Sequence, residues 1–227
     1  MTNLSVSGVR ELDFTDVSDY LYHGTCGFKD KCDVATVDNI DVKKGNKRVD
    51  FGPGFYVCID KKQAEKRARS VYMRENKNQN STMRVALEKL KIPMKVDLGE
   101  VQEALVIRYK IDINKVSDIE HKRLFASPDI KWFNFIFNNR KYSPEGSLEH
   151  NHDAKYSIVY GYMADGLFES VTELLKKKYE DLSTEELKTI YEVYTRKKQK
   201  IETQISFHRK EALNHCLSNG DIFQLEI

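Results

Sequence analysis

Residues 50–75 read DFGPGFYVCIDKKQAEKRARSVYMRE, and this stretch organises the rest of the chain. Proline presets one turn dihedral and glycine tolerates positive φ, so Asp50-Phe51-Gly52-Pro53 is a turn. The short apolar run Gly54-Phe55-Tyr56-Val57-Cys58-Ile59 is a strand that stops at Asp60, a good N-cap for the helical stretch that follows it. The unit is turn, strand, cap and helix. Upstream, Asp19-Tyr20-Leu21-Tyr22-His23 reads as a strand ending in a turn at Gly24-Thr25. Downstream, Ala104–Ile111 is a strand, and Ser127-Pro128-Asp129 starts a helix with Trp132, Phe133, Ile136 and Phe137 on its apolar face. A strand over Tyr156–Gly161 and a helix over Gly166–Lys178 follow. Ser183 and Glu186 have capping-box spacing before a helix to about Lys198. Thr203–Phe207 is a strand, Glu211–Leu217 a helix and Phe223–Ile227 a final strand. The polar stretch Glu75–Thr82 is a loop or a frayed helix end. Strands and helices intermix without a regular βαβ beat, which gives an α+β fold.

Composition sets the outer bounds. The 227 residues carry 37 Lys plus Arg against 35 Asp plus Glu, a net charge of +2, which excludes a histone-like polycation. With 40% hydrophobic residues the chain buries a substantial core, and with only 11 Gly and 4 Pro it has no linker at which to divide it. We therefore read residues 1–227 as a single domain. No apolar run reaches the roughly 18–20 residues that span a bilayer, and the start MTNLSVSGVRELDF has no basic flank leading into an apolar core, so the expectation is a soluble, cytoplasmic protein with no membrane partner. Cys26, Cys32, Cys58 and Cys216 lack CxxC pairing and read as free thiols.

Singly, the polar residues say little. There is no GxxxxGK[ST] and no GxGxxG after a strand, which excludes those two nucleotide-binding devices. A nucleophilic pair of Cys26 or Cys58 with His23 has no recognisable orienting Asn or Asp. A zinc site from His23, Cys26 and Cys32 lacks a normal fourth ligand, so no metal is expected.

In series they carry more. Tyr22-His23-Gly24-Thr25 at a strand end, Gly52-Pro53-Gly54-Phe55-Tyr56 before a helix, and Gln204-Ile205-Ser206-Phe207 far downstream resemble the ADP-ribosyltransferase superfamily, in its diphtheria-toxin and poly(ADP-ribose) polymerase branch. That branch is marked by a His, a Tyr and a late-strand Glu. More narrowly, the helix Lys131–Arg140, the segment Tyr156–Asp165 and the run Gln204–His208 leading into Ala212-Leu213 are similar to a bacterial family of unknown function related to that branch and met beside small partner genes of toxin–antitoxin type. The resemblance covers about Asp19 to Leu217. It implies two small antiparallel sheets, flanked by helices, that form a cleft for NAD as co-substrate. His23 would bond the adenosine-side ribose, the Gly24 backbone the nicotinamide carboxamide, and the Tyr56 ring would lie against the nicotinamide, where the ring and not the hydroxyl matters. Thr25, Gly54 and Phe55 would line the same cleft, with Gly52 and Gly54 letting the backbone approach the ligand.

At the position of the superfamily's catalytic Glu this chain has Gln204. Its amide oxygen accepts a ribose hydrogen bond but brings no charge. Hydrogen bonds to charged groups are worth about 1.5–3 kcal/mol against about 1 for neutral ones, so the exchange weakens turnover by roughly one to two powers of ten without forbidding it. Glu202, two residues earlier on the same strand face, is either the general base for the acceptor or an exposed strand-end residue. The resemblance implies single transfer of ADP-ribose to a protein or nucleic-acid acceptor, RNA or DNA, in an anti-phage or toxin–antitoxin module with a small antitoxin protein as partner. The alternative is a catalytically weak NAD or ADP-ribose binding module. The basic run Tyr194–Lys200 before the last motif holds an acceptor phosphate or is a solvated helix end, and the basic residues of Lys61–Arg69 either serve NAD phosphates or do not.

Overall fold

The structure is a computed structural model that describes residues 10–76, 89–90, 102–140, 149–164, 183–196 and 202–227. In chain order its strands are β1 (Tyr20–Gly27), β2 (Phe55–Val57), β3 (Glu103–Lys110), β4 (Lys122–Leu124), β5 (Ile158–Tyr162), β6 (Thr203–Phe207) and β7 (Asp221–Gln224). The described helices are α1 (Lys61–Glu75), α2 (Ile113–Ser117), α3 (Ile130–Arg140), α4 (Thr184–Arg196) and α5 (Lys210–Cys216). The mixed α+β class follows directly. The expected helix over Gly166–Lys178, and most of the polar stretch after Asn76, lie outside the described residues.

Two sheets organise the chain. One is antiparallel in the order β1-β3-β7, and the other runs β2-β6-β5-β4. The second sheet departs from the all-antiparallel expectation, because β4 pairs parallel to β5 through Lys122↔Ile158 and Leu124↔Tyr160. Parallel neighbours need a long crossover, and the chain between β4 and β5 supplies one that includes α3. β1 also runs on through Gly24 to Gly27 rather than turning there, since β3 pairs with it along its whole length.

The main core lies between the sheets. Leu21, Ile107 and Tyr109 come from the first, and Phe55, Val57, Ile205 and Phe207 from the second. α3 buries Trp132, Phe133, Phe135 and Ile136, an apolar surface wider than one face, and the Trp132 indole donates to the Tyr162 carbonyl at 2.9 Å. Each such large side chain contributes about 1.5–3 kcal/mol by burial. Asp60 caps α1 by accepting from Lys62 N–H at 2.8 Å, and Ser183 and Glu186 form the reciprocal cap of α4. α1 covers the outer face of the first sheet through small residues, Ala64 and Ala68 against Cys58, Ala104 and Val106. It comes so close that a Cβ on Gly24 would lie 2.0 Å from the Ala64 carbonyl oxygen. Glycine at position 24 is therefore demanded by helix packing.

Candidate functional site

The sheets are joined by an isolated bridge between β1 and the residue after β2. Tyr22 N–H donates to the Cys58 carbonyl at 2.8 Å, and Cys58 N–H to the Tyr22 carbonyl at 2.9 Å. Continued by one pair, that antiparallel register would set Gly24 against Tyr56. The ladder stops instead, because His23 Nδ1 takes the Tyr56 carbonyl at 2.7 Å. A carbonyl only accepts, so Nδ1 carries the proton and Nε2 is left as an acceptor. Backbone groups two residues apart on a strand share a direction, so Gly24 N–H and C=O face the same side as those of Tyr22. Among the described residues they have no partner. Beyond the bridge the strands thus part around a gap whose β1 bank carries one backbone donor and one backbone acceptor with no partner among the described residues.

His23 is half-buried, with its ring centroid 4.6 Å from that of Phe55. Burial lowers its pKa, the Tyr56 carbonyl opposes that, and the Arg67 charge on α1 adds to the lowering, so the neutral imidazole is favoured. Thr25 lies on the same strand face as His23 and is also half-buried. Phe55 is only 7% exposed and meets Tyr109 edge-on at 5.7 Å, so its ring backs His23 from the core. Strand alternation puts it on the opposite face from Tyr56.

Tyr56 is half-buried, and its hydroxyl is already engaged. It donates to the Gly52 carbonyl at 2.6 Å and accepts from Phe51 N–H at 3.0 Å, tying the turn to the strand. Burial, reinforced by the Asp50 charge, holds its pKa well above the ordinary tyrosine value. Gly52 adopts φ of 86°, and a Cβ there would lie 2.9 Å from the Asn151 carbonyl oxygen. A Cβ on Gly54 would lie 2.7 Å from His208 Nδ1, so internal packing requires glycine at both turn positions.

Gln204 and Ser206 share the Tyr56 face of the second sheet, since Tyr56 pairs with Ser206. Gln204 is 7% exposed, and its Nε2 donates to Asp50 Oδ2 at 3.0 Å. The same oxygen accepts from Ala164 N–H at 2.9 Å, while Oδ1 takes Arg140 Nε at 2.8 Å and a second guanidinium nitrogen at 2.6 Å. Glu202, on the same side of the chain just before β6, is half-buried and faces Lys66 of α1 at 3.6 Å. Ser206, fully buried, lies 2.7 Å from His208 Nε2, and His208 Nδ1 donates to the Pro53 carbonyl at 2.7 Å. Burial lowers the His208 pKa to about 4, which keeps it neutral.

The structure thus brings His23, Gly24, Tyr56 and Gln204 onto the adjoining strands β1, β2 and β6, with Glu202 at the rim. Sequence reading passed over Asp50, Arg140, Ser206 and His208 as site residues. One signal was available: Glu202, Gln204, Ser206 and His208 alternate with apolar Ile205 and Phe207, marking a polar strand face inside a core. A thiolate at Cys58 is disfavoured, because burial, Asp60 and Glu202 push its pKa up to about 12. No cluster among the described residues has the make-up of a metal site, and no described helix is long and apolar enough to cross a membrane. Cavities of about 420 Å³ beside His121 and His215, and of about 650 Å³ beside Tyr72 and Leu225, have none of the candidate residues in their walls. In the basic run before β6, Lys197–Lys200 lie outside the described residues.

Residues 20–218 match the family described as a protein of unknown function (DUF3990). The chain belongs to this family. The match begins at the first residue of β1 and ends just after α5, so in this DUF3990 chain it takes in both sides of the gap. Neither the curated proteins nor the solved structures contain a significant match.

Proposed function

We propose that the chain is a mono-ADP-ribosyltransferase that cleaves NAD in the gap between β1 and β2 and moves ADP-ribose to a protein or nucleic-acid acceptor. The observation that carries this reading is the interrupted ladder. His23 occupies the Tyr56 carbonyl, and the Gly24 N–H and C=O, without a partner among the described residues, are the complement of a carboxamide, which offers an acceptor oxygen and a donor NH₂. The Tyr56 ring stands on the other bank, suited to stacking on a cationic pyridinium. His23 Nε2 remains an acceptor for a ribose hydroxyl, and the Gln204 oxygen accepts a hydroxyl of the nicotinamide ribose.

In the reaction the bond between ribose C1′ and the pyridinium nitrogen breaks, and its electron pair leaves with neutral nicotinamide. A lone pair of the acceptor then bonds to C1′, and the acceptor's proton passes to a base. Glu202, at the rim of the same face, is our choice for that base. With a neutral amide at position 204 the transition state has less charge stabilisation than a carboxylate gives, so turnover is slow and single transfer is favoured over chain extension. The system-level reading is a toxin restrained by a small antitoxin protein. The test is transfer of label from adenylate-labelled NAD to cell lysate, with protease and nuclease digestion run separately. Label released only by nuclease names a nucleic-acid acceptor, label released only by protease names a protein, and no label in either fraction sinks the reading.

A second reading, an NAD or ADP-ribose binding module, is favoured by one observation: Gln204 is neutral and its amide nitrogen is committed to Asp50. Tight NAD binding without nicotinamide release would establish it.

A further inference from the structure

We propose that Asp50 is the positioning residue for Gln204, fixing its amide so that the oxygen, and not the nitrogen, is offered to a ligand on the Tyr56 face. The inference rests on the transferase reading only for what that oxygen does, not for how it is held. A carboxylate solely accepts, so the side of Gln204 that meets Asp50 Oδ2 at 3.0 Å has to be its NH₂ group. Asp50 is itself held in place, because Arg140 grips Oδ1 and Ala164 N–H also bonds Oδ2. Asp50 is 4% exposed, so these contacts act in a medium that strengthens them. Among the described residues the amide oxygen accepts no hydrogen bond, and it is not among the buried polar atoms left without a partner. The small exposed remainder of Gln204 therefore includes that oxygen. The side chain is a preset acceptor on a strand whose next three residues, Ile205, Ser206 and Phe207, are buried.

The experiment is a double-mutant cycle on the full chain with NAD as the probe, reading kcat and KM for nicotinamide release by wild type, Gln204→Ala, Asp50→Asn and the double variant. If Asp50 acts through Gln204, each single variant lowers kcat about tenfold or more with KM changed less than twofold, and the double variant is no slower than Gln204→Ala. Losses that multiply, or an Asp50→Asn variant with wild-type kcat, overturn the proposal. A second measurement decides the matter if Asp50→Asn fails to fold or if wild type releases no nicotinamide, the latter being a failure of the transferase reading alone. In the amide spectrum of ¹⁵N-labelled wild type, the NH₂ pair that disappears in Gln204→Ala should exchange with solvent at least tenfold more slowly than a free glutamine amide. Exchange at the free rate overturns the positioning claim.

Discussion

Replacing Tyr56 by Phe removes one oxygen, and the structure assigns that oxygen a cost. The hydroxyl is the acceptor for Phe51 N–H and the donor to the Gly52 carbonyl, and Phe51 is completely buried. Without it the Phe51 N–H has no partner, and an unsatisfied buried polar group costs about 1–3 kcal/mol. Loss of the second bond adds about 1 kcal/mol, so Tyr56→Phe should lower stability by about 2–4 kcal/mol, a fall in Tm of about 4–16 °C for a chain of this size. The ring remains, so NAD affinity per folded molecule should survive in Tyr56→Phe and be lost in Tyr56→Ala. Urea unfolding followed by fluorescence, with NAD calorimetry on the same samples, separates the two effects. A Tyr56→Phe variant within 0.5 kcal/mol of wild type would refute the assigned turn-closing role of the hydroxyl.

Gly24→Ala should cost about 3 kcal/mol or more, because its Cβ meets the backbone of α1 and not a movable side chain; soluble expression and Tm check it, and a wild-type melting curve contradicts it. Asp50→Ala should destabilise by about 3–5 kcal/mol, since Arg140, 15% exposed at its side chain, loses its buried carboxylate; urea titration reads this, and Arg140→Met paired with Asp50→Ala should recover part of the loss. His208 is held neutral in the fold with its pKa down to about 4, below its unfolded value near 6.5, so the unfolded chain binds the extra proton and stability falls as pH drops from about 6.5 towards 4. That loss is on the order of 3 kcal/mol, His23 contributes with the same sign, and a His208→Gln variant with an unchanged pH profile would contradict it. His23→Ala frees the Tyr56 carbonyl and should weaken NAD binding about tenfold or more by calorimetry; equal affinities would remove His23 from the site.

What could be read from the sequence was local. α1 was legible because Asp60 is a cap and the residues behind it have no strand pattern, and β6 because its apolar residues alternate strictly. β4 was not, since Lys122-Arg123-Leu124 has no pattern of its own and is a strand only because β5 pairs with it. The same limit hid the network around Gln204. Asp50 looks like a turn residue, and its two side-chain partners sit 90 and 154 residues away. The hydroxyl of Tyr56 stands at the other extreme, since its partners Phe51 and Gly52 lie only five and four residues back, but a turn-closing bond leaves no periodic pattern in the sequence.

The central claim is that this chain breaks the bond between nicotinamide and ribose, and its most direct test is nicotinamide release from NAD by the purified chain, with and without lysate as acceptor, for wild type and for Gln204→Ala. The account predicts slow release by wild type that rises with acceptor, and release about tenfold or more slower by the folded Gln204→Ala variant. Background release by both proteins, with NAD bound equally well by both, would contradict it.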